Sequence, residues 1–573
     1  MKRFNKRNFV DNVQPILKMG RSKFDLSYSY KTSMNTGDLC PVFIQEVYPG
    51  DTFKHKSTFV FRTLSPFIRP VMDNLFLDMY YFFVPNRLVY DRWNELMGEN
   101  VSGYWKSSTE VEVPGVFLPL ANANGGPAIE PDTIAAYFGL NIGEGRQAGS
   151  GGNSATISDI PFRAFALIYN EWFRNENFEA PVYIETGDYS GVAPTLNNNA
   201  FGVDNFHGKV PKVNKLADYF TSCLPQPQKG DAVDIPIGNA PVISSQLQDN
   251  TEVLNDDANA SMPLSFAGGG GPWSSIQSAN VLFGANSGLL STMTDSNGGV
   301  LSAGDYLAPN NLVALNSLSV GNINDLRFAF QLQKLLEKDA RGGTRYVEYL
   351  STHFGVISPD ARLQRPEFLG GKRVPLEMKE VAQTSQSTET SPLAQLSAFS
   401  TTINQSGFSK GFVEHGFIIG VACVRQRHTY QQGIERFWMR RQRYDFYDPV
   451  FANIGEQPVY KSEIYAADLV EGNEDTIFGY NEAWADLRYR PSRITGILNS
   501  VNQSGFDIWH FGDYYANAPT LNNQFMKETS AFVDRTLSVS SDTAPNFICD
   551  FYFKNIAARV MPLYSIPGLV DHH

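Results

Sequence analysis

Residues 74–84 read NLFLDMYYFFV, apolar at nearly every position. A run of this kind, without the polar alternation of a half-exposed strand, predicts a strand buried on both faces. Pro41 to Tyr48 (PVFIQEVY), bounded by Pro-Gly turn residues, and Thr58 to Arg62, rich in β-branched and aromatic residues, predict two more. Far downstream, Gly411 to Arg425 and Phe547 to Asn555 repeat the pattern, the second alternating Phe547, Cys549, Phe551 and Phe553 against Asp550 and Lys554. Strands at both ends of a 573-residue chain, with a long excursion between them, suit an all-β framework of two packed sheets carrying decorated loops.

Helices are few. Phe162, Phe165, Ala166, Tyr169, Trp172 and Phe173 recur at helical spacing just after Asp159 and Pro161, which suit a helix entry. Asn322 with Asp325 resembles a capping pair ahead of Leu326, Phe330, Gln333 and Leu336, and Gly342-Gly343 closes that helix. Between the two helices, residues 225–321 change in composition: Gly268 to Gly271 stand in a row among Asn, Ser, Asp and Ala. That segment reads as a surface insertion with short strands of its own. The expected organisation is a basic arm over 1–31, a first framework portion over 32–224, the insertion over 225–321, and a second portion with a C-terminal tail over 322–573.

Charged residues make up only 18% of the chain and aromatics 13%, so much surface is available for burial, part of it against other subunits. The net charge of −12 excludes a general polyanion-binding protein but leaves room for a local basic patch. The arm is such a patch: Lys2, Arg3, Lys6, Arg7, Lys18, Arg21, Lys23 and Lys31 stand against Asp11 and Asp25, a net of +6. Cys40, Cys223, Cys423 and Cys549 lie far apart with no C-x-x-C pair, which predicts buried, reduced thiols rather than a zinc or redox site. No apolar stretch resembles a signal-peptide core, and the longest later apolar run, Gly416 to Val424, is too short to span a bilayer, so no membrane insertion is expected.

The motifs that suggest chemistry each have a plainer reading. Gly407-Phe-Ser409-Lys-Gly411 matches the G-x-S-x-G of a nucleophile elbow, which needs a strand before it and a helix after. Here a polar stretch precedes and a strand follows, so a glycine-rich hairpin turn is expected and Ser409 is not assigned a catalytic role. Gly143-x-Gly145-x-x-Ala148 opens no helix and reads as a flexible loop. The histidines show no zinc spacing, and Asp249, Glu252, Asp256 and Asp257 lack the spacing of a calcium loop. No catalytic residue, metal or cofactor is expected. Arg425, Arg427, Arg436, Arg440, Arg441 and Arg443 are interleaved with Tyr430, Phe437, Trp438, Tyr444, Phe446 and Tyr447. That pattern suits single-stranded nucleic acid, and equally a subunit interface or an internal salt-bridge set.

Longer strings carry a resemblance. DARGGTRYVEYLSTHFGVISPDARLQRPEFLGG (Asp339 to Gly371), FVEHGFIIG (Phe412 to Gly420), TYQQGIERFW (Thr429 to Trp438) and RYDFYDPVFANIGEQPV (Arg443 to Val459) closely resemble the major capsid proteins of gokushoviruses, small icosahedral single-stranded DNA bacteriophages of the Microviridae. YFTSCLPQPQKGD (Tyr219 to Asp231), YRPSRITG (Tyr489 to Gly496) and MPLYSIPGLVDH (Met561 to His572) match as well. The resemblance implies a mainly β fold, an eight-stranded antiparallel jelly roll of viral capsid type with long inter-strand insertions. It implies sixty copies in a T=1 shell, with pentamers within it, around a circular single-stranded DNA genome. A small basic DNA-packaging protein, a minor pilot protein and a host surface receptor are the implied partners, and residues 225–321 the implied threefold protrusion, involved in host attachment. Assembly in the bacterial host cytoplasm and residence in the virion follow. Lys2, Arg3, Lys6 and Arg7, and secondarily Arg436, Arg440, Arg441 and Arg443, are the candidate contacts to DNA or to the packaging protein. The competing functional class is a β-sandwich carbohydrate-binding adhesin, with the glycine-rich middle as its recognition loop.

Overall fold

The computed structural model describes residues 20–99, 111–117, 131–140, 156–188, 208–231, 266–268, 307–309, 323–382, 396–470, 476–502 and 505–564, with the single residues 233 and 384. The chain divides into two compact units, Met1–Pro227 with Asp339–His573, and Gln228–Lys338.

The first unit is built on eight principal strands: β1 (Tyr28–Met34), β2 (Cys40–Val47), β3 (Thr52–Thr63), β4 (Leu75–Pro85), β5 (Glu367–Pro375), β6 (Leu396–Gly411), β7 (Gly416–Gln426) and β8 (Phe547–Arg559). One sheet runs β1-β8-β3-β6, with short edge strands Ser22–Asp25 beside β8 and Met378–Ala382 beside β6. The other runs β2-β7-β4-β5. Every ladder in these two sheets is antiparallel. The fold is therefore mainly β, and its interleaved strand order is consistent with a jelly-roll capsid protein.

Side-chain alternation sets the register. Phe547, Cys549, Phe551 and Phe553 of β8 and Phe53, Phe59 and Phe61 of β3 all point inward and are fully buried. Across the gap they meet the second sheet: the Phe43 ring lies 5.1 Å from Phe553 and 4.4 Å from the His55 imidazole. Tyr81 donates to Ser57 Oγ at 2.6 Å, which satisfies its buried hydroxyl. β4 is buried on both faces, as its sequence predicts, because the helix α1 (Ile160–Ile168) and the π turn after it cover the outer side. Trp172 and Phe173 pack on Phe82 at ring separations of 5.3 and 5.9 Å. The four cysteines are free and buried, and burial pushes the Cys423 thiol up to about 12.

Two expectations are corrected. Gly411 to Arg425 is not one strand: β6 ends at Gly411, and residues 412–415 turn the chain into β7. Nor is Gly407 to Gly411 a hairpin turn. It lies inside β6, with Gly407 opposite Lys56 and Ser409 opposite Lys54. The glycine at 407 serves close strand approach, since a Cβ there would stand 2.4 Å from the His55 carbonyl oxygen.

Part of the basic arm is strand as well: Lys23 lies in Ser22–Asp25 and Lys31 in β1. In the second unit, Phe266–Gly268 pairs with Leu307–Pro309 in antiparallel fashion. The helix α2 (Ile323–Gly342) begins in the second unit and ends at the expected Gly342, with Gly343 in the left-handed region at φ 87°. Lys2, Arg3, Lys6, Arg7, the Gly143 loop, the acidic group at 249–257 and most of the expected insertion 225–321 lie outside the described residues.

Candidate functional site

The segment that leaves β7 gathers the Arg-aromatic motif, and its arginines fall into distinct environments. Arg425 is structural. Together with Arg373 of β5 it clasps the wholly buried carboxylate of Asp78 on β4; Arg373 Nε donates at 2.6 Å and Arg425 Nε at 2.8 Å. A buried carboxylate needs such pairing to be tolerated.

Arg436 and Arg440 are turned inward too. Arg436 donates to the Pro458 carbonyl at 2.6 Å, lies 3.6 Å from the Glu463 carboxylate and sits over the Tyr460 ring. Burial pushes the Glu463 carboxyl up, against the pull of Arg436. Arg440 pairs with Asp486 and covers the Trp484 ring. Arg441 and Arg443, by contrast, are exposed, and beside them Asp445 binds the backbone N–H groups of Arg441 and Gln442 at 2.8 and 2.7 Å.

Between residues 430–440 and 486–499 lies a cavity of about 730 Å³. Arg488, Arg490 and Arg493 line its far wall, yet the charge is largely balanced within the chain: Glu435 accepts from Arg490 at 2.7 and 2.9 Å and lies 3.2 Å from the Arg493 guanidinium, and Glu482 pairs with Arg488. The cleft is largely neutralised by carboxylates of the same chain, which leaves it without the excess of free cations a polyanion requires.

The exposed side chains of the segment 437–454 and of residues 487 and 489 differ in kind. Trp438 is 69% exposed, Tyr444 71% and Val450 84%, with Phe437, Phe446, Tyr447, Ile454, Leu487 and Tyr489 exposed around them. Exposing so many large apolar side chains along one segment is costly in water.

The first unit also holds a buried polar knot. His428 Nδ1 lies 2.7 Å from Asp513 Oδ1 and its Nε2 3.2 Å from Glu528 Oε2, with Lys215 Nζ 3.2 Å from the other oxygen of Asp513. Burial alone would push the imidazole down, but the two carboxylates overcome it and hold His428 up at about 9. Burial likewise opposes ionisation of Asp513, and His428 and Lys215 reverse the sign, keeping that carboxyl well below its usual range. His428 is thus an imidazolium cross-link between three chain segments; its neighbours at 513 and 528 are too distant in sequence for spacing to reveal them.

Ser409 has no partner for nucleophilic chemistry among the described residues. Its side chain is on the outer face of β6, whereas the nearest histidine along the ladder, His55, faces the core and stacks on Phe408 at 5.1 Å. Among the described residues no group of three or more His, Cys, Asp or Glu side chains is placed to hold a metal ion, and no helix is long and apolar enough to cross a membrane.

A family model described as Capsid protein (F protein) matches residues 13–569. Capsid protein VP1 of Bdellovibrio phage phiMH2K is 38% identical over 574 aligned residues, covering 99% of this chain and 98% of that protein. Capsid protein VP1 of Spiroplasma virus 4 is 38% identical over 558 residues, 96% of this chain and 95% of the relative. Capsid protein VP1 of Chlamydia phage 1 is 38% identical over 598 residues, with coverage of 97% and 96%.

Proposed function

This chain belongs to the family of phage F capsid proteins, and from that premise we propose that sixty copies of it close a T=1 icosahedral shell around a circular single-stranded DNA genome. As a member it is a structural protein of a bacteriophage virion, one that assembles with itself into a shell. We read its eight principal strands as the jelly roll of that shell; the order β1-β8-β3-β6 over β2-β7-β4-β5 supports the reading.

The observation that carries the assembly proposal is the exposure of Trp438, Tyr444, Val450 and their apolar neighbours along the segment 437–454, the rim of the subunit in this reading. An obligate subunit interface buries more than about 2,000 Å² and has this composition at its centre. The rim is the contact between neighbouring copies, and the pentamer is the intermediate it builds. Replacing Trp438 and Tyr444 with Ser tests this: the double variant stays folded by circular dichroism but sediments as free subunits. Undiminished shell formation would contradict the assignment.

The remaining roles rest on charge and on the family. Sixty subunits of net charge −12 do not neutralise an enclosed polyanion, so the genome requires local cationic patches together with a small basic packaging protein. Lys2, Arg3, Lys6 and Arg7 form the foremost patch in sequence, and Arg441 and Arg443 are the cluster members with exposed side chains. Neutralising the four arm residues lowers the yield of DNA-filled particles more than that of empty shells. Residues 225–321 serve host attachment, and a minor pilot protein joins the particle, which assembles in the bacterial cytoplasm. Replacing 249–304 with a short Gly-Ser linker leaves a folded subunit and reduces attachment to host cells.

A further inference from the structure

The chain leaves β8 through a run of uncovered apolar side chains. Val560, Met561, Leu563 and Tyr564 are all exposed, Tyr564 to 76%. The sequence continues past the described residues as SIPGLVDHH, so Ile566, Leu569 and Val570 extend the apolar run and Asp571 is the one acid in it. A segment of this composition is costly in water unless another surface covers it.

The cleft between residues 430–440 and 486–499 is complementary to such a segment. Phe437, Trp438, Leu487 and Tyr489 line it and are exposed. Its charge is one short of balance: among the described residues Arg436, Arg440 and Arg488 each hold a carboxylate of their own, Glu463, Asp486 and Glu482, whereas Arg490 and Arg493 share Glu435. One guanidinium charge is left over, too little for a polyanion and enough for a single carboxylate. Arg493 meets Glu435 through one nitrogen at 3.2 Å and half of its side chain is exposed, so its other N–H donors have no partner among the described residues.

We propose that residues 565–573 of one copy lie in this cleft on a neighbouring copy, with Ile566, Leu569 and Val570 against the exposed apolar side chains and Asp571 at Arg493. The inference rests on the capsid reading above and deepens it by naming a strap between subunits. The occupant is a second copy because the chain's own tail is too short. Ala558 pairs with Thr52, Val560 stands against Gly50, and the Phe412 N–H donates to the Asp51 carbonyl at 2.8 Å, so the tail departs where β7 begins. The cleft lies off the other end of β7. There the Val424 carbonyl accepts from Gly37 at 2.8 Å, the Gly37 carbonyl accepts from Val213 at 2.8 Å, and Asp513, held by Lys215, donates its N–H to Thr429 at 2.8 Å, one residue before Tyr430 in the cleft wall. The length of β7 is about 34 Å, while the five residues from Met561 to Ile566 span at most about 18 Å. A neighbouring copy removes that constraint, and the segment 437–454, read above as a subunit contact, runs into the cleft through Phe437 and Trp438.

The test places the two halves of the contact on different copies. A full-length chain carrying Val570→Cys is co-expressed with a tagged full-length chain carrying Thr495→Cys, a residue of the cleft wall, and the assembled material is oxidised and run on a non-reducing gel. The native thiols are buried and take no part. A band at twice the chain mass that contains both chains is the expected result. Absence of that band overturns the inference, as does cross-linking within one chain when both substitutions are placed on it. A second measurement follows the charge: a fluorescein-labelled peptide of residues 565–573 binds the full-length subunit by anisotropy, Asp571→Lys in the peptide weakens binding about tenfold, and Arg493→Glu in the subunit restores the affinity of the altered peptide. Equal affinity of the two peptides for the unaltered subunit overturns the pairing of Asp571 with Arg493 and the inference with it. Failure of the unaltered chain to form shells in its host strikes the capsid reading instead, and the peptide titration still decides whether the cleft takes the tail.

Discussion

The first unit contains two cores made by opposite means. Between the sheets, Phe53, Phe59, Phe61, Phe547, Phe551 and Phe553 interdigitate with Phe43 and Tyr81, and apolar burial on a regular ladder does nearly everything. The second core, around Tyr219, Phe220, Tyr430, Phe478 and Phe525, has among the described residues the two-stranded ladder Glu456–Tyr460 with Ile477–Glu482, set among loops and short helical turns. Its rings carry polar handles tied to acids: Tyr219 to Glu463 at 2.8 Å, Tyr430 to Asp218 at 2.7 Å and, at its edge, Tyr515 to Asp513 at 2.7 Å. A sheet satisfies its backbone by itself, whereas loops must be fixed by side-chain hydrogen bonds and ion pairs. The sheet core should therefore answer to lost volume and the loop core to lost charge.

The largest effect is expected where volume matters most. Phe553 has Phe43, Tyr28, Phe551 and His55 within ring separations of 5.1 to 5.7 Å. Phe553→Ala should cost about 3–5 kcal/mol in denaturant melts, with the same loss at pH 7 and pH 10. A loss that varied with pH would blur the distinction between the cores.

His428→Ala should be next, at about 3 kcal/mol at pH 7, because it leaves the buried carboxylates of Asp513 and Glu528 without the imidazolium between them, and Lys215 and the Tyr515 hydroxyl reach Asp513 alone. Here pH matters. The imidazole has an ordinary value of 6.5 and a folded value of about 9, so its contribution is fully present below 6.5 and is lost as pH rises through 9. Unaltered protein should lose stability between pH 7 and 10, and the gap between it and His428→Ala should close over the same interval. A gap that persists at pH 10 would show that His428 acts by packing rather than charge.

Surface changes sharpen the comparison from below. Arg441→Gln with Arg443→Gln should alter subunit stability by less than about 0.5 kcal/mol, while Arg440→Gln, which abandons Asp486, should cost more. Smallest of all is Ser409→Ala, on the outer face of β6, which should change neither stability nor particle yield measurably. Labelling of Ser409 by a fluorophosphonate probe would refute its structural assignment.

The two cores also differ in how far the sequence reveals them. Alternation at Phe547 to Phe553 and the continuous apolar run of β4 mark their strands to within a residue or two at the start, because one face, or both, must be apolar. β6 escaped the same logic: its outward residues Thr401, Gln405 and Ser409 and its glycines read as a polar loop, and only the neighbouring strand β3 makes it a central strand of its sheet. β1 was hidden inside what reads as a basic arm, since its identity comes from pairing with β8, more than 500 residues away. The Arg-aromatic motif was visible, but its division into inward Arg436 and Arg440 and outward Arg441 and Arg443 depends on Glu463 and Asp486. No periodicity links Lys215 to Asp513 or His428 to Glu528, so the loop core had no signal of its own.

The capsid assignment is tested most directly by the mass of particles that contain this chain, recovered from lysed host cells and weighed by charge-detection mass spectrometry. Sixty copies of a 63.8 kDa chain give a protein shell of about 3.8 MDa, with packaged DNA and minor proteins above that floor. A single population at or above this mass, isometric by electron microscopy, is the expected result. Recovery of the chain only as a free 63.8 kDa subunit, or as open filaments of indefinite mass, would contradict the account.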